Sequence, residues 1–577
     1  MRPVPKAKHH VAVLVFVAVA MGSGLLAVFD QDISVSQADL ATAALKRHNP
    51  ALFASDPIFG QSDLWRIHTP AFQGMLELVL VPTGYGDPIL PFRVLTPIVV
   101  MVYLCGMYAL LYRQCQSWQA STFVSVLSLT VVYMLGRSHW GLGSLATITP
   151  QGIAMALTPL AVLFYIHYRH QRARVATLFA AIGLLGMLDL VTAGNLAIVL
   201  LIVHLGSNHF SRRAWGTAVV CAGAAMATAL PYIGYFYGLR ARLLDTQAQP
   251  NAALVYDAFR WTDRTLLYPD ILKSFLDWDM LARLIVLGLV AAAVLGGIER
   301  FKTRNRSVWI WLIVGACVVA FGLQAVSQLV GLLQGQCPPL VDFFRAFALV
   351  MLPLYVLLAQ GMTNLFRLVH RYRGVLAWGC AAMMAVWMLP SDNMRAGRHL
   401  SYEAATTFMD DRVRELAEDR QRQEDLEAVG EWARRNSDLD AVFLTDNPLF
   451  RMLSRRSVLA TRSDVEYIYY LTPGRLGQWM RQFADQQRAV SVAGACVDGA
   501  RIQSFVADIA KQDAFEGISQ WYVILKASAA PTTPADCQGL ELIDKEPLMG
   551  YWRLYRVKLP DLAATTSAPA LIPASKQ

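Results

Sequence analysis

The sequence predicts a polytopic α-helical membrane protein that carries a C-terminal α/β domain. Three observations support this. Of 577 residues, 55% are hydrophobic and 16% are charged, where an ordinary soluble protein carries roughly 25% charged residues. The apolar excess, with a mean hydropathy of +0.38 over the chain, fills residues 11–390 and thins out afterwards. Short clusters of Lys and Arg separate successive apolar runs, the usual mark of cytoplasmic loops in a spanning protein. The formal net charge of +9 is therefore assigned to loops rather than to nucleic-acid binding, for which no recognition motif accompanies the charge.

A span needs roughly 20 apolar residues, and about eleven segments approach that length: 11–29, 89–112, 119–136, 151–168, 174–190, 193–207, 215–237, 281–298, 307–331, 346–366 and 374–390. The basic N-terminus, Met1 to His10, precedes an apolar run longer than the roughly 7–15 residues of a signal-peptide core, which predicts a retained first helix. The segments 174–190 and 193–207 are short and nearly contiguous, as in a tight helical pair that does not fully cross. With the N-terminus inside, the inside connections hold Arg113, Arg169/Arg172/Arg174, Arg212/Arg213, Arg300/Lys302/Arg304/Arg306 and Arg367/Arg371/Arg373. All are basic, and an odd span count places the C-terminal region outside.

Residues 1–390 thus read as the transmembrane domain, with a first outside loop over 30–88. In that loop Ser36 and Asp39 resemble a capping box opening a short helix, and Pro50 and Pro57 mark turns. The aromatics Phe53, Phe59, Trp65 and Phe72 interleave with polar residues, as in a helix lying in the membrane interface. Residues 391–558 read as an extracytoplasmic α/β domain. Helices are expected over 411–435 and 475–487, and strands at 441–444, 457–460, 521–525 and 551–557, with alternation that favours a small doubly wound sheet. No GxGxxG or Walker signature is present, so nucleotide binding has no support. The Ala-, Thr-, Ser- and Pro-rich tail 559–577 has the composition of a disordered segment. Eight cysteines show no CxxC pattern; Cys496 and Cys537, the two in the C-terminal region, are free to pair or not in an oxidising compartment.

The residues with chemical potential start with Asp30 and Asp32, two carboxylates where the first span surfaces. An acid near hydrocarbon is disfavoured. One of the pair can act as a general base toward an acceptor hydroxyl; together they can bind a divalent cation, Mg2+ or Mn2+, through oxygen ligands. The plainer reading is a polar helix end. Asp56, in an ordinary Ser-Asp-Pro turn, is either a turn residue or a substrate contact. Arg345 opens a late span and can hold a phosphate with a two-pronged fork, or pair with Asp342. Asp189 lies within an apolar run, where an acid is a functional candidate unless the helix end solvates it. Arg137 and His139, beyond the third span, offer a further phosphate contact or a plain interfacial cluster. Arg451, Arg455 and Arg456 form a basic knot that can bind anionic lipid or glycan, or, on the plainer reading, is solvated surface.

At these residues the chain resembles the GT-C superfamily of membrane glycosyltransferases, and uncharacterised bacterial members whose first loop reads much like His48-Asn-Pro-Ala-Leu-Phe53-Ala-Ser-Asp56-Pro57. The matching pieces are Asp30-Gln31-Asp32 after the first helix, the first loop through Asp56-Pro57, the many-span layout, Arg345 on a late span and the terminal domain. No WWDxG-type motif is present, which argues against en bloc glycan transfer to protein. The resemblance implies transfer from a polyprenyl-phosphate sugar to an extracytoplasmic hydroxyl of a glycan, lipid or protein acceptor, in a bacterial inner membrane. Asp30 or Asp32 would be the base, and Arg345 would steady the departing phosphate. A monophosphate leaving group does not require a metal. Two other readings stand beside it: a flippase or transporter of a lipid-linked intermediate, with Asp189 and Arg345 along its path, and a non-catalytic envelope-assembly protein presenting the polar face of 411–435.

Overall fold

A computed structural model describes the chain from Lys6 to Leu559, except for residues 30–32, 61–63, 131, 134–138, 144, 244–249, 251, 262–304, 335–340, 369–374, 376–378, 380–409, 491–498, 513–514, 516–517, 519, 527–538 and 544–550. The chain divides into two compact units. One comprises Met1–Ala41 and Arg66–Thr407; the other comprises Thr42–Trp65 and Phe408–Gln577. The segment 42–65, which reads in the sequence as part of the first membrane loop, thus belongs with the C-terminal region.

The first unit is helical. Among the described residues, six helices are long and apolar enough to cross a membrane: Leu90–Cys115, Pro150–Tyr168, Leu190–Ser207, Arg212–Leu243, Arg306–Gly331 and Phe343–Arg367. A shorter apolar stretch, His9–Leu25, lies within α1 (Lys6–Phe29). The membrane character of the unit agrees with the sequence, but the expected count of eleven does not. The expected span 119–136 is a ten-residue helix, Trp118–Leu127, followed by a two-stranded hairpin of β1 (Val132–Tyr133) and β2 (His139–Trp140). Its serines explain the early stop. Ser121, Ser125 and Ser128 each donate to a main-chain carbonyl three or four residues back, offering the backbone alternatives to a continued helix. The expected span 174–190 is the helix Arg172–Leu185, which at 1.5 Å per residue is about 21 Å long, short of a hydrocarbon core of about 30 Å. The expected spans at 281–298 and 374–390 lie outside the described residues, save Val375 and Gly379.

Side-chain burial follows a lipid-facing logic. Along α1, Ala12, Phe16, Ala20, Ser23 and Ala27 form one buried stripe, while Leu14 and Met21 are about two-thirds exposed. Arg212–Leu243 likewise exposes Val219, Met226 and Leu230. Apolar faces of that size are rare on water-soluble chains and at home against lipid. Where helices do touch, small residues let them close in, as packing in lipid favours. A Cβ on Gly183 would collide with Ala225 O and Thr228 Oγ1 of the long helix beside it.

The second unit is a three-layer α/β structure. Its sheet has the strand order β4-β3-β5-β7-β6. Strands β3 (Val442–Leu444), β4 (Ser457–Val458) and β5 (Trp521–Lys526) are parallel to one another, and β7 (Trp552–Val557) and β6 (Leu540–Leu542) complete an antiparallel edge. The sheet is therefore mixed, and β6 has no counterpart in the sequence reading. Alternate strand residues feed two cores. Val442, Leu444, Val523 and Leu525 pack with Ile502 and Val506 on one face; Phe443, Tyr522, Ile524 and Leu554 pack with Leu426 and Val429 on the other. The helices on these faces are Asp410–Asn436, Leu476–Val490 and Gly499–Ala510. Cys496, Cys537 and the tail from residue 560 lie outside the described residues.

Two expectations for the first loop change. The helix α2 is Val35–His48, and its capping box is built by Ser34 and Gln37, not Ser36 and Asp39. Ser34 N donates to Gln37 Oε1 at 3.1 Å, and Gln37 N donates to Ser34 Oγ at 3.2 Å. Phe53 and Phe59 are fully buried rather than interfacial; Phe59 meets the Tyr467 ring at 5.7 Å.

Candidate functional site

Of the seven residues singled out as a site, the structure brings Asp189 and Arg345 together in the membrane unit. The chain breaks at Gly186–Asp189 between two helices, and Asp189 sits in extended backbone (φ −145°, ψ 103°) as the residue capping Leu190–Ser207. A carboxylate there gains from the helix dipole. Thr192, in the first turn, donates its hydroxyl to Asp189 Oδ2 at 2.5 Å. Arg345 comes from the other direction, on the 3-10 segment Phe343–Val350 that leads into the helix Met351–Leu368.

Arg345 Nη1 lies 3.2 Å from Asp189 Oδ2, and Arg345 Nε lies 3.0 Å from Asp342 Oδ2. Asn195 donates to Asp342 O at 3.0 Å, and Phe343 N donates to Gln324 Oε1 at 3.3 Å, so the segment carrying the guanidinium is anchored from two helices. The three charged side chains remain 12–22% exposed. One guanidinium thus stands between two carboxylates, held in orientation yet not closed over by the protein. Such a group can exchange one carboxylate partner for a phosphate or carboxylate of a ligand.

The other sequence candidates fall differently. Asp30, Asp32 and Arg137 lie outside the described residues. His139 is in β2, paired with Tyr133 across the hairpin; its side chain lies outside the described part. Among the described residues no group of His, Cys, Asp and Glu is placed to hold a metal.

Asp56 belongs to the second unit and is fully engaged there. Its Oδ1 accepts from Ile58 N at 2.9 Å and Phe59 N at 3.0 Å. Its Oδ2 accepts from Arg451 Nε at 2.7 Å and Val458 N at 3.0 Å. Four donors saturate the carboxylate, so the turn reading describes it and a phosphate contact does not. Arg451, expected on the surface, is buried to 0% exposure. It also holds Asp464, with Nη1–Oδ1 at 2.5 Å and Nη2–Oδ2 at 3.0 Å, and lies over the Phe59 ring at 5.4 Å. Burial works against the guanidinium's charge, but the carboxylates of Asp464 and Asp56 overcome it, and its pKa is raised. Arg456 is buried too, donating to Arg434 O at 2.8 Å and Ser437 O at 2.7 Å, which closes the end of the Asp410–Asn436 helix.

The sequence held one signal for this arrangement. Thr461-Arg-Ser-Asp464 has the spacing of a capping box, and Thr461 N does donate to Asp464 Oδ2 at 2.8 Å. Nothing local tells that Arg451 would lie under it. No protein-family model matches the chain, and no curated protein matches it.

Proposed function

We propose that the chain is an integral membrane glycosyltransferase of the GT-C type, moving a sugar from a polyprenyl-phosphate donor to an acceptor hydroxyl on the extracytoplasmic side. The observation behind this reading is Arg345, a guanidinium at the head of an apolar span, oriented by two carboxylates and still 22% exposed. A lipid-borne phosphate needs that kind of partner at that kind of place. In the proposed step the acceptor oxygen bonds to the anomeric carbon of the sugar as the bond from that carbon to the phosphate oxygen breaks. The hydroxyl proton passes to Asp30 or Asp32. The electron pair leaves with the polyprenyl phosphate, where Arg345 offsets the growing charge. In this reading the N-terminus is cytoplasmic, the C-terminal unit is extracytoplasmic, and a cation at Asp30 and Asp32 is not required for the step.

One observation favours a second reading, a carrier of the same lipid-linked intermediate. Asp189 caps a helix that follows a short one, and Arg345 lies on a 3-10 lead-in; interrupted helices with charged groups at their ends are the material of transport sites. Vesicles holding the full chain and a polyprenyl-phosphate sugar labelled in the sugar separate the two. Release of free polyprenyl phosphate with label in a new product, lost in Asp30→Asn/Asp32→Asn and in Arg345→Gln, is the expected result. Label that crosses the bilayer with its donor bond intact establishes the carrier. Full turnover by both single Asp→Asn variants and the double variant removes the base assignment.

A further inference from the structure

The second unit contains a cavity of about 360 Å³, walled on one side by residues 54–58 and on another by the turn and helix that follow Leu471. That volume falls in the range of small-molecule sites. The wall is assembled from residues whose placement the sequence dictates. Thr472 ends the helix Asp464–Leu471, donating its main-chain N–H to Ile468 O at 2.8 Å. A 3-10 turn, Pro473–Arg475, then starts Leu476–Val490. In that helix Leu476, Trp479, Phe483 and Gln486 form the buried stripe, and Trp479 stacks on Phe483 with ring centroids at 5.2 Å and planes 7° apart. The opposite wall is rigid because Asp56 is clamped by Arg451 and Val458.

The polar groups of the lining are mostly neutral. Ser55, Thr472, Gln478, Gln482 and Gln512 both donate and accept; Trp479 donates; Arg475 is the one cation among the described lining residues. The charge of Asp56 is taken up by Arg451. Three of these residues carry buried polar atoms with no hydrogen-bond partner among the described residues: Thr472 Oγ1, Trp479 Nε1 and Gln482 Nε2. Thr472 and Trp479 are more than nine-tenths buried. Buried donors are nearly always paired, and these three belong to residues that line the cavity.

We propose that this cavity is a carbohydrate-binding site for a neutral sugar. Sugar hydroxyls donate and accept at the same atom, which matches amide and hydroxyl side chains better than it matches charged ones. An indole fixed by a ring stack offers an N–H and apolar surface together. A phosphate dianion would find one cation and no saturating set of donors. The inference goes beyond the reading of the membrane unit and stands without it, because binding here needs no turnover.

The test uses the full chain in amphipol, since glycosidic detergents would compete. Probes are glucose, galactose, mannose, N-acetylglucosamine, cellobiose and chitobiose, with inorganic phosphate as the anion control, read by saturation-transfer NMR and tryptophan fluorescence. At least one sugar is expected to bind saturably. Gln482→Leu, Thr472→Val and Trp479→Phe should each weaken it roughly three- to tenfold, the size of one lost hydrogen bond. Thr472→Val should melt no lower than the wild type, because it removes an unpaired hydroxyl. It therefore keeps the test valid where Trp479→Phe disturbs the stack. The proposal is overturned if none of the sugars saturates, if all three variants bind like the wild type, or if phosphate alone binds saturably. Absence of transferase activity from a wild-type chain that binds sugar would count against the membrane-unit reading and not against this one.

Discussion

Arg345 in the membrane unit and Arg451 in the C-terminal unit each meet two aspartates, at 3.2 and 3.0 Å in the first case and 2.7 and 2.5 Å in the second. They differ in how completely the protein encloses them. Arg451 and its partners are sealed, and every carboxylate oxygen of Asp56 and Asp464 accepts at least one further bond from backbone or hydroxyl. The cluster around Arg345 is up to 22% exposed. A sealed pair gains little over an apolar substitute but is costly to break, because the surviving charge is left buried and unpaired. A pair that the protein leaves partly open can trade partners. The same residue types therefore make a staple in one unit and a candidate ligand contact in the other.

The largest expected effect is on the staple. Arg451→Met leaves Asp56 and Asp464 without their cation and should cost about 3–5 kcal/mol, seen as a large drop in the melting temperature or loss of folded protein. Removing both carboxylates as well, in Arg451→Met/Asp56→Asn/Asp464→Asn, should recover part of that loss. A melting temperature for Arg451→Met close to the wild type would erase the distinction drawn between the clusters. Next is Arg345→Gln. It should lower the melting temperature by less than Arg451→Met does, because the carboxylates it leaves behind keep 12–15% exposure. It should lower turnover of a polyprenyl-phosphate sugar by roughly 100-fold, the size of one lost charge-stabilising contact.

Smaller effects come from close packing in each unit. A Cβ at Gly60 would collide with Asp56 O and Ala54 O, and one at Gly183 with Ala225 O. Gly60→Ala and Gly183→Ala should each cost about 1–3 kcal/mol. Gly60→Ala should also disturb the position of Asp56, so its effect should shrink when introduced into Arg451→Met. Additivity of the two would show that the turn and the staple are independent.

The least effect at mildly acidic pH is a pH dependence in the membrane unit. Burial lowers the pKa of the half-buried His68 imidazole from 6.5 to about 4. The folded state therefore keeps it neutral where the unfolded chain takes a proton. Stability should be full above pH 6.5, fall as pH drops through 6.5 toward 4, and level off below, with a loss on the order of 1 kcal/mol near pH 5.5. His68→Gln should flatten that slope in a melting-temperature series; an unchanged slope would assign it to other groups.

The hydropathy pattern alone carried the membrane character of the first unit, and local periodicity carried four strands and two helices of the C-terminal domain, but not β6 or the helices Asp464–Leu471 and Gly499–Ala510. Strands at 442–444, 457–458, 521–526 and 552–557 and helices at 410–436 and 476–490 fall where alternation and the apolar stripe put them, because burial of one face is written in neighbouring residues. Arg345 and Asp189 were legible one at a time for the same reason: a charge inside an apolar run is visible locally. Their pairing was not, since 156 residues separate them. The exchange of roles between Asp56 and Arg451 was beyond reach for a stronger form of that reason. They are 395 residues apart, and a basic knot reads as solvated until the chain folds over it. Whether a charge is a contact for ligands or a fastening depends on how completely the protein encloses it, and the enclosing parts of the chain are remote in sequence.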